Sequence, residues 1–422
     1  MAKYVENKKS SLLQSVEERA SSKKLEKKRK NEEEEAAVVS YCTDLIPHLP
    51  KDCISDILVR LPLDALQRSR FVCKLWYNMI HNSSFIDAHL RRSESVLIFL
   101  SPIPQENSYL SKPNAFSVEA KLLCPNSFLM FNDPRINRDS KSIHFLEFKD
   151  GKGRIGEYKI SCLGNIRATC NGLILLDDTT KKGGLVVMNP VTRKLMALPL
   201  GTICSKSNES YGFCLSNDAG NYKVVHLFRD SLGFVNCEIL SLGSRFWKEV
   251  DGPSSALFDW LRCDTVSAIG ALHWFPQVKE QRGDSILSMD LEKEKFHQVP
   301  LPKASTAYDS IIEFGGFLGF VAHCSKANQI EIWILKDLLG DVWTKQHCIT
   351  SGCMLFDVVP KLSLGMKGEM VFKSRTNGAF YVYNFQLKQM RKVMFEKGVS
   401  VPGSVLPHVN SLVSWSGSLQ FK

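Results

Sequence analysis

The chain has 422 residues, of which 44% are hydrophobic and 23% charged, enough to bury a large core and too apolar for a wholly disordered protein. Its longest apolar stretches, such as Val96–Leu100 and Phe314–Ala322, fall well short of a bilayer span and speak against a transmembrane protein. The net charge of +10 is thinly spread: residues 93–422 hold 37 Lys/Arg against 31 Asp/Glu, so no basic stripe points to nucleic acid.

The N-terminus, MAKYVENKKSSLLQS, lacks the apolar core of a secretory signal, which predicts an intracellular chain. Thirteen cysteines, an odd count without a C-x-x-C pair, agree with a reducing compartment, where they act as small hydrophobes. Residues 1–40 read as a polar, disordered tail. Its run Lys23-Lys24-Leu25-Glu26-Lys27-Lys28-Arg29-Lys30 is equally a nuclear import signal or a solubilising segment.

Residues 41–92 read as a helical unit. Pro50 opens a helix on which Ile54, Ile57, Leu58 and Leu61 share one face, and Pro62 stops it. Asp64 caps a second helix through Gln67 to Arg70. Val72, Leu75, Trp76, Met79 and Ile80 repeat the helical spacing in a third. Asn82-Ser83-Ser84 breaks it, and Phe85, Ile86, His89 and Leu90 add one last turn. A unit of about 50 residues is near the lower limit for a lone domain and tends to lean on a partner.

From Ser95 the pattern becomes short strands separated by turns. LVVMNPVTRKLMALP, CEILSLGSRFWKEV, SILSMDLEKEKFHQVP, IEIWILKDLLGDVWTK and FYVYNFQLKQMRKV share one hairpin plan. Their turn anchors Asn189, Ser241, Asp290, Leu335 and Asn384 are 52, 49, 45 and 49 residues apart. A sixth hairpin, SIHFLEFKDGKGRIGEYKI, starts at Ser142. Each of the five is preceded by a glycine-bearing strand: NGLILLDD, YGFCLSN, IGALHWF, GGFLGFVAH and KGEMVFK. Four strands at this period make a propeller blade. Six blades are expected over 93–422, with the stretch 101–140 able to hold a seventh. Ser95–Leu100 and Ser411–Trp415 are expected to share one blade and close the ring.

Gly151-Lys152-Gly153-Arg154-Ile155-Gly156 matches G-x-G-x-x-G, but a strand follows it, so it reads as a hairpin turn rather than a dinucleotide loop. The histidines and cysteines lack zinc-ligand spacing, and neither metal nor cofactor is assigned. Tyr211, Phe258 and Trp260 read as plugs between blades more readily than as partner anchors.

The segment LPKDCISDILVRLPLDALQRSRFVCKLWYNMIHNSSFI closely resembles an F-box. CNGLILL, MNPVTRKLMALP, YGFCLSNDAGNYKVV, GALHWF, SMDLEKEKFHQVPLP and IEIWILKD resemble, in order, the kelch-like F-box-associated domain of plant F-box proteins. Met188 and Met289 stand where that family more usually has an aromatic. The resemblance implies a small all-α F-box followed by an all-β propeller. It implies a substrate receptor of a Skp–cullin–F-box ubiquitin ligase in nucleus and cytoplasm, with no catalytic residue of its own. Its partners would be a Skp-type adaptor, through it a cullin, and an unknown target protein, with neither nucleic acid nor membrane. By analogy Leu49, Pro50, Ile54, Ile57, Leu58, Leu61, Pro62, Leu66, Val72, Cys73 and Trp76 would touch the adaptor; each is as readily core. Two alternatives stay open. One is an enzyme with its site in the propeller channel, although the inner strands then carry mainly Gly, Leu, Phe and Val, with His273 and His323 as polar exceptions. The other is a scaffold acting outside the ligase.

Overall fold

The computed structural model describes residues 49–102 and 141–415, apart from 150, 163, 179–181, 206–207, 217–220, 254–264, 276–283, 304–308, 325–326, 339–341, 351–356, 366–367, 396–400 and 402–403. The tail, the stretch 103–140, Phe258 and Trp260 lie outside the described residues. The chain divides into two compact units, Met1–Arg92 and Ser93–Lys422.

In the first unit four short helices follow one another: α1 (Lys51–Leu58), α2 (Leu63–Ser69), α3 (Lys74–Ile80) and α4 (Ser83–Arg92). Proline opens the first two. Pro50 and Pro62 sit at the N-caps with extended ψ, and their carbonyls accept the Ile54 and Leu66 N–H groups. A proline lacks the N–H that a helix start leaves unused. Pro62 therefore begins α2 rather than ending α1, which stops at Leu58. Asp64 lies in the first turn of α2, where its charge suits the helix dipole, and is not its cap. Asn82 caps α4, its Oδ1 accepting the Ser84 N–H at 2.9 Å. That helix runs ten residues, longer than the single turn expected.

The second unit is a six-bladed propeller. It begins with β1 (Ser95–Pro102), β2 (Lys141–Lys149) and β3 (Lys152–Cys162). Blade two is β4 (Ile166–Cys170), β5 (Leu173–Asp178), β6 (Gly184–Asn189) and β7 (Lys194–Ala197). Blade three is β8 (Glu209–Leu215), β9 (Tyr222–Arg229), β10 (Val235–Ser241) and β11 (Lys248–Val250). Blade four is β12 (Thr265–Ala268), β13 (Ala271–Trp274), β14 (Ser285–Asp290) and β15 (Lys295–Pro300). Blade five is β16 (Ser310–Phe314), β17 (Phe317–Cys324), β18 (Gln329–Leu335) and β19 (Trp343–Thr350). Blade six is β20 (Val358–Leu364), β21 (Glu369–Ser374), β22 (Phe380–Asn384) and β23 (Gln389–Lys392). Finally β24 (Met394–Phe395) and β25 (Leu406–Val409) return to the first sheet, in the order β24-β3-β2-β1-β25.

Closure therefore differs in one detail from expectation. The strand paired with β1 is Leu406–Val409, with Ile98 opposite Leu406 and Ser95 opposite Val409. Ser411–Val413 follows it as a clasp. The Asn189 side-chain amide donates to the Ser411 and Val413 carbonyls at 3.0 and 2.8 Å, and the Ser411 hydroxyl donates to the Asn171 carbonyl. YGFCLSN is also displaced by one strand: it is β8, the first strand of its blade, so YKVVHLFR (β9) is the counterpart of NGLILLDD (β5).

Period-two alternation explains why the strands are apolar on both faces. On β1, Ile98 packs with Ile174, Leu176, Val186 and Met188 of blade two. Its neighbours Leu97 and Phe99 pack instead with Leu362, Val371 and Phe380 of blade six. Every blade is thus buried against two others. Met289 is fully buried with Trp274 and Leu287 between blades three and four, so thioether volume serves where an aromatic was expected.

Three of the five turn anchors share one chemistry. Asn189 Oδ1 accepts the Val191 and Thr192 N–H groups. Asp290 does the same for Glu292 and Lys293, and Asn384 for Gln386 and Leu387. Four residues after each anchor, Arg193, Glu294 and Lys388 take positive φ of 59, 53 and 51°. The Asx turn sets that geometry and returns the outer strand in register. Gly151, at φ +74°, lies in the turn between β2 and β3, as the hairpin reading required. A Cβ on Gly153 would strike the Phe395 ring, so this glycine admits β24 beside β3.

Candidate functional site

The helices of the first unit sort their apolar residues into two sets. Ile54, Leu58, Leu66, Ile80 and Phe85 are buried. Leu49, Pro50, Ile57, Pro62, Phe71 and Val72 are exposed, Phe71 at 77% and Val72 at 60%. On α1 the split follows helical geometry: Ile54 and Leu58, four apart, face inward, and Ile57 lies on the flank of that stripe. Exposed large apolar side chains this concentrated on a small unit mark an interaction surface.

Three of the eleven expected contact residues are buried in this arrangement. Ile54, Leu58 and Leu66 are at most 6% exposed and form the core of the helical unit. Leu61, Cys73 and Trp76 are half-buried. Leu49, Pro50, Ile57, Pro62 and Val72 are accessible. Phe71 and Tyr77, outside the expected contact set, are exposed as well. Phe71 carries the Arg70 guanidinium 4.9 Å from its ring centre, and Tyr77 stacks on His81. Periodicity could not have found them, because both fall off the apolar stripe.

In the propeller, the inner strands β25, β4, β8, β12, β16 and β20 touch in that cyclic order. Each pairs on one side only, leaving an open edge toward a central cavity of about 340 Å³. Its lining includes Thr169, Thr265, Ser310, Glu313, Lys361 and His408. These first strands, not the glycine-bearing ones, face the channel. His273 and His323 lie on second strands and are buried. The His273 Nε2–H donates to the Ala268 carbonyl at 3.1 Å, so its Nδ1 accepts from the Ser288 hydroxyl. Burial, partly offset by the Ala268 bond, pushes its pKa down to about 4.

A buried charged network joins blades two and three. Arg167 on β4 pairs with Asp177 and with Glu209. His226 Nδ1 meets Glu238 Oε1 at 2.8 Å, and its Nε2 faces Glu209 Oε2 at 3.5 Å. Burial opposes a charge on His226, but the two carboxylates outweigh it and raise its pKa. Glu238 also accepts from the Thr202 N–H and hydroxyl. Tyr211 stacks on His226 with ring centres 4.3 Å apart, donates to Glu209 and carries the Arg167 guanidinium of blade two 5.6 Å from its ring centre, which makes it a plug between blades rather than a surface anchor.

Two family models match the chain. The F-box associated beta propeller domain covers residues 126–407, and the F-box domain covers residues 46–87. F-box proteins of Arabidopsis thaliana are similar to it. F-box protein At3g08750 is 24% identical over 312 residues, covering 71% of this chain and 72% of its own length. F-box protein At4g19940 is 23% identical over 381 residues, covering 84% and 87%. Among solved structures, the crystal structure of TolB from Acinetobacter baumannii is similar with a TM-score of 0.43 and 13% identity, over 80% of this chain and 73% of that one.

Proposed function

The chain belongs to the F-box-associated β-propeller family, and from that premise we propose that it is the substrate-recognition subunit of a Skp–cullin–F-box ubiquitin ligase. Residues 41–92 bind a Skp-type adaptor and through it a cullin; residues 93–422 hold the target protein. The chain works in nucleus and cytoplasm and supplies no catalytic group. It raises the effective concentration of target beside a ubiquitin-loaded conjugating enzyme, whose thioester does the chemistry.

The observation that carries this reading is the divided helical unit. Its interior is already filled by Ile54, Leu58, Leu66, Ile80 and Phe85, yet Leu49, Ile57, Phe71 and Val72 stay in solvent. Such a surface suits the apolar face of an adaptor helix, where a few large side chains carry most of the binding energy. The test is calorimetry of the full chain with a purified Skp-type adaptor. Ile57→Asp and Val72→Asp are expected to weaken binding at least tenfold, about 1.4 kcal/mol, with unchanged melting. Wild-type affinity in both variants overturns the assignment of this surface.

A further inference from the structure

On blade five two ammonium groups hold one carboxylate, and a thiol lies against one of them. Glu331 on β18 accepts from Lys303 and Lys345, each at 2.6 Å. Lys303 comes from the connection between β15 and β16; Lys345 comes from β19. Trp333 Nε1 donates to the same carboxylate at 3.2 Å. Burial opposes ionisation of Glu331, but the Lys303, Lys345 and Trp333 bonds hold its pKa down to about 2. The carboxylate is therefore a permanent anchor that keeps the Lys303 ammonium in place.

Held there, Lys303 Nζ lies 2.7 Å from Cys324 Sγ at the end of β17. That separation is ordinary for N–H···O; sulfur is larger, and its hydrogen bonds are correspondingly longer. The two atoms are thus close enough for one bridging oxygen. Cys324 is half-buried, so a small oxidant can reach it, and a thiol beside ammonium groups is the setting in which peroxide oxidation is selective.

We propose that Lys303 and Cys324 form a redox modification site, closed by hydrogen peroxide into a covalent Nζ–O–Sγ bridge. The step balances. Lys–NH₃⁺ and Cys–SH react with two molecules of peroxide to give Lys–NH–O–S–Cys, three waters and one proton. Nitrogen and sulfur each lose two electrons, and the two peroxides accept the four. One O–O bond supplies the bridging oxygen, and the other lost protons leave in water. Four equivalents of a thiol reductant reverse the step, returning lysine and cysteine, with the bridging oxygen leaving as water and the reductant as two disulfides. The bridge ties the connection leaving blade four to the end of β17 in blade five, removing freedom from the unfolded chain as other cross-links do.

The test is tryptic mass spectrometry of the full chain after peroxide treatment. Trypsin cuts after Lys303 when that lysine is free. The bridged protein should yield residues 296–326 uncut at Lys303, one oxygen heavier and two hydrogens lighter than the unmodified stretch. Dithiothreitol should abolish this species and restore cleavage. It should be absent from Lys303→Arg and Cys324→Ser, and reduced in Glu331→Gln, which loosens Lys303. Melting of the treated wild type should rise and fall back with reductant. Recovery of Cys324 only as free thiol, sulfinic acid or mixed disulfide, or a cross-link lacking the oxygen, overturns the proposal.

Discussion

His408 on β25 is 3% exposed, and neither ring nitrogen has a hydrogen-bond partner among the described residues. Burial pushes its pKa down to about 3. The unfolded imidazole takes up a proton near pH 6.5; the folded one refuses it until about pH 3. The native state therefore loses stability as pH falls from about 6.5 toward 3, and His273 adds to the same loss between about 6.5 and 4. His226 has the opposite sign: with its pKa raised, its contribution is present at low pH and is lost as pH rises through the folded value. Replacing His408 by Leu removes two orphaned polar atoms, so unfolding free energy at pH 7 should rise by about 1–3 kcal/mol. The drop between pH 7 and pH 5 should also shrink. Urea melts at the two pH values check both, and a lower midpoint at each would refute the account.

Among the hairpins, the Asx turn is generic and the clasp is particular. Asn189 uses its oxygen for the turn and its amide nitrogen for the Ser411 and Val413 carbonyls, fully buried. Asn189→Asp keeps the turn but sets a carboxylate oxygen against two carbonyls, and should cost about 2–3 kcal/mol. Asp290→Asn, where the turn oxygen is again kept, should change stability by less than about 0.5 kcal/mol. Equal melting of the two variants would dismiss the clasp. The position of the closing strand makes a second prediction. A chain ending at Val409 keeps β25 and loses the clasp and the Tyr158–Asn410 hydrogen bond, so it should melt cooperatively at a lower midpoint. A chain ending at Val401 leaves β1 with an unpaired edge and should aggregate or melt without cooperativity. Cooperative melting of the shorter chain would be incompatible with β25 as the closing strand.

Across the whole molecule, separability follows from where the burial lies. The blade-to-blade clusters are built from propeller residues alone, so residues 93–422 should fold without 41–92. If the receptor reading holds, this fragment binds target but recruits no adaptor, and its expression should lengthen the half-life of a target that the intact chain degrades. A bound target that decays as fast as before would end the reading for that target. Within the helical unit the contrast is Leu58→Ala, which removes a fully buried side chain and should destabilise by about 2–5 kcal/mol, against Ile57→Asp, which should leave its melting unchanged. Circular dichroism of both variants separates core from surface.

Sequence alone determined what local chemistry can encode. The helical spacing after Pro50, the side-chain turns at Asn189, Asp290 and Asn384 and the hairpin reading of Gly151–Gly156 all rest on neighbours within a few residues, and the structure has them. Tertiary structure decided which member of each pattern does what. The stripe Ile54, Ile57, Leu58 does not say that Ile57 alone faces solvent, because exposure depends on how the other helices close over it. Apolar strands of period two do not say which strand lies innermost, so YGFCLSN was set one strand out and the channel lining was misplaced. Leu406–Val409 and Ser411–Val413 look alike as strands; only the ring, closing through Ile98 opposite Leu406, makes the first a strand and the second its clasp. The network around His226 joins residues far apart in the chain, and so does the contact between Lys303 and Cys324. Neither has a local signature, because the blades that bring them together are placed by packing rather than by any one segment.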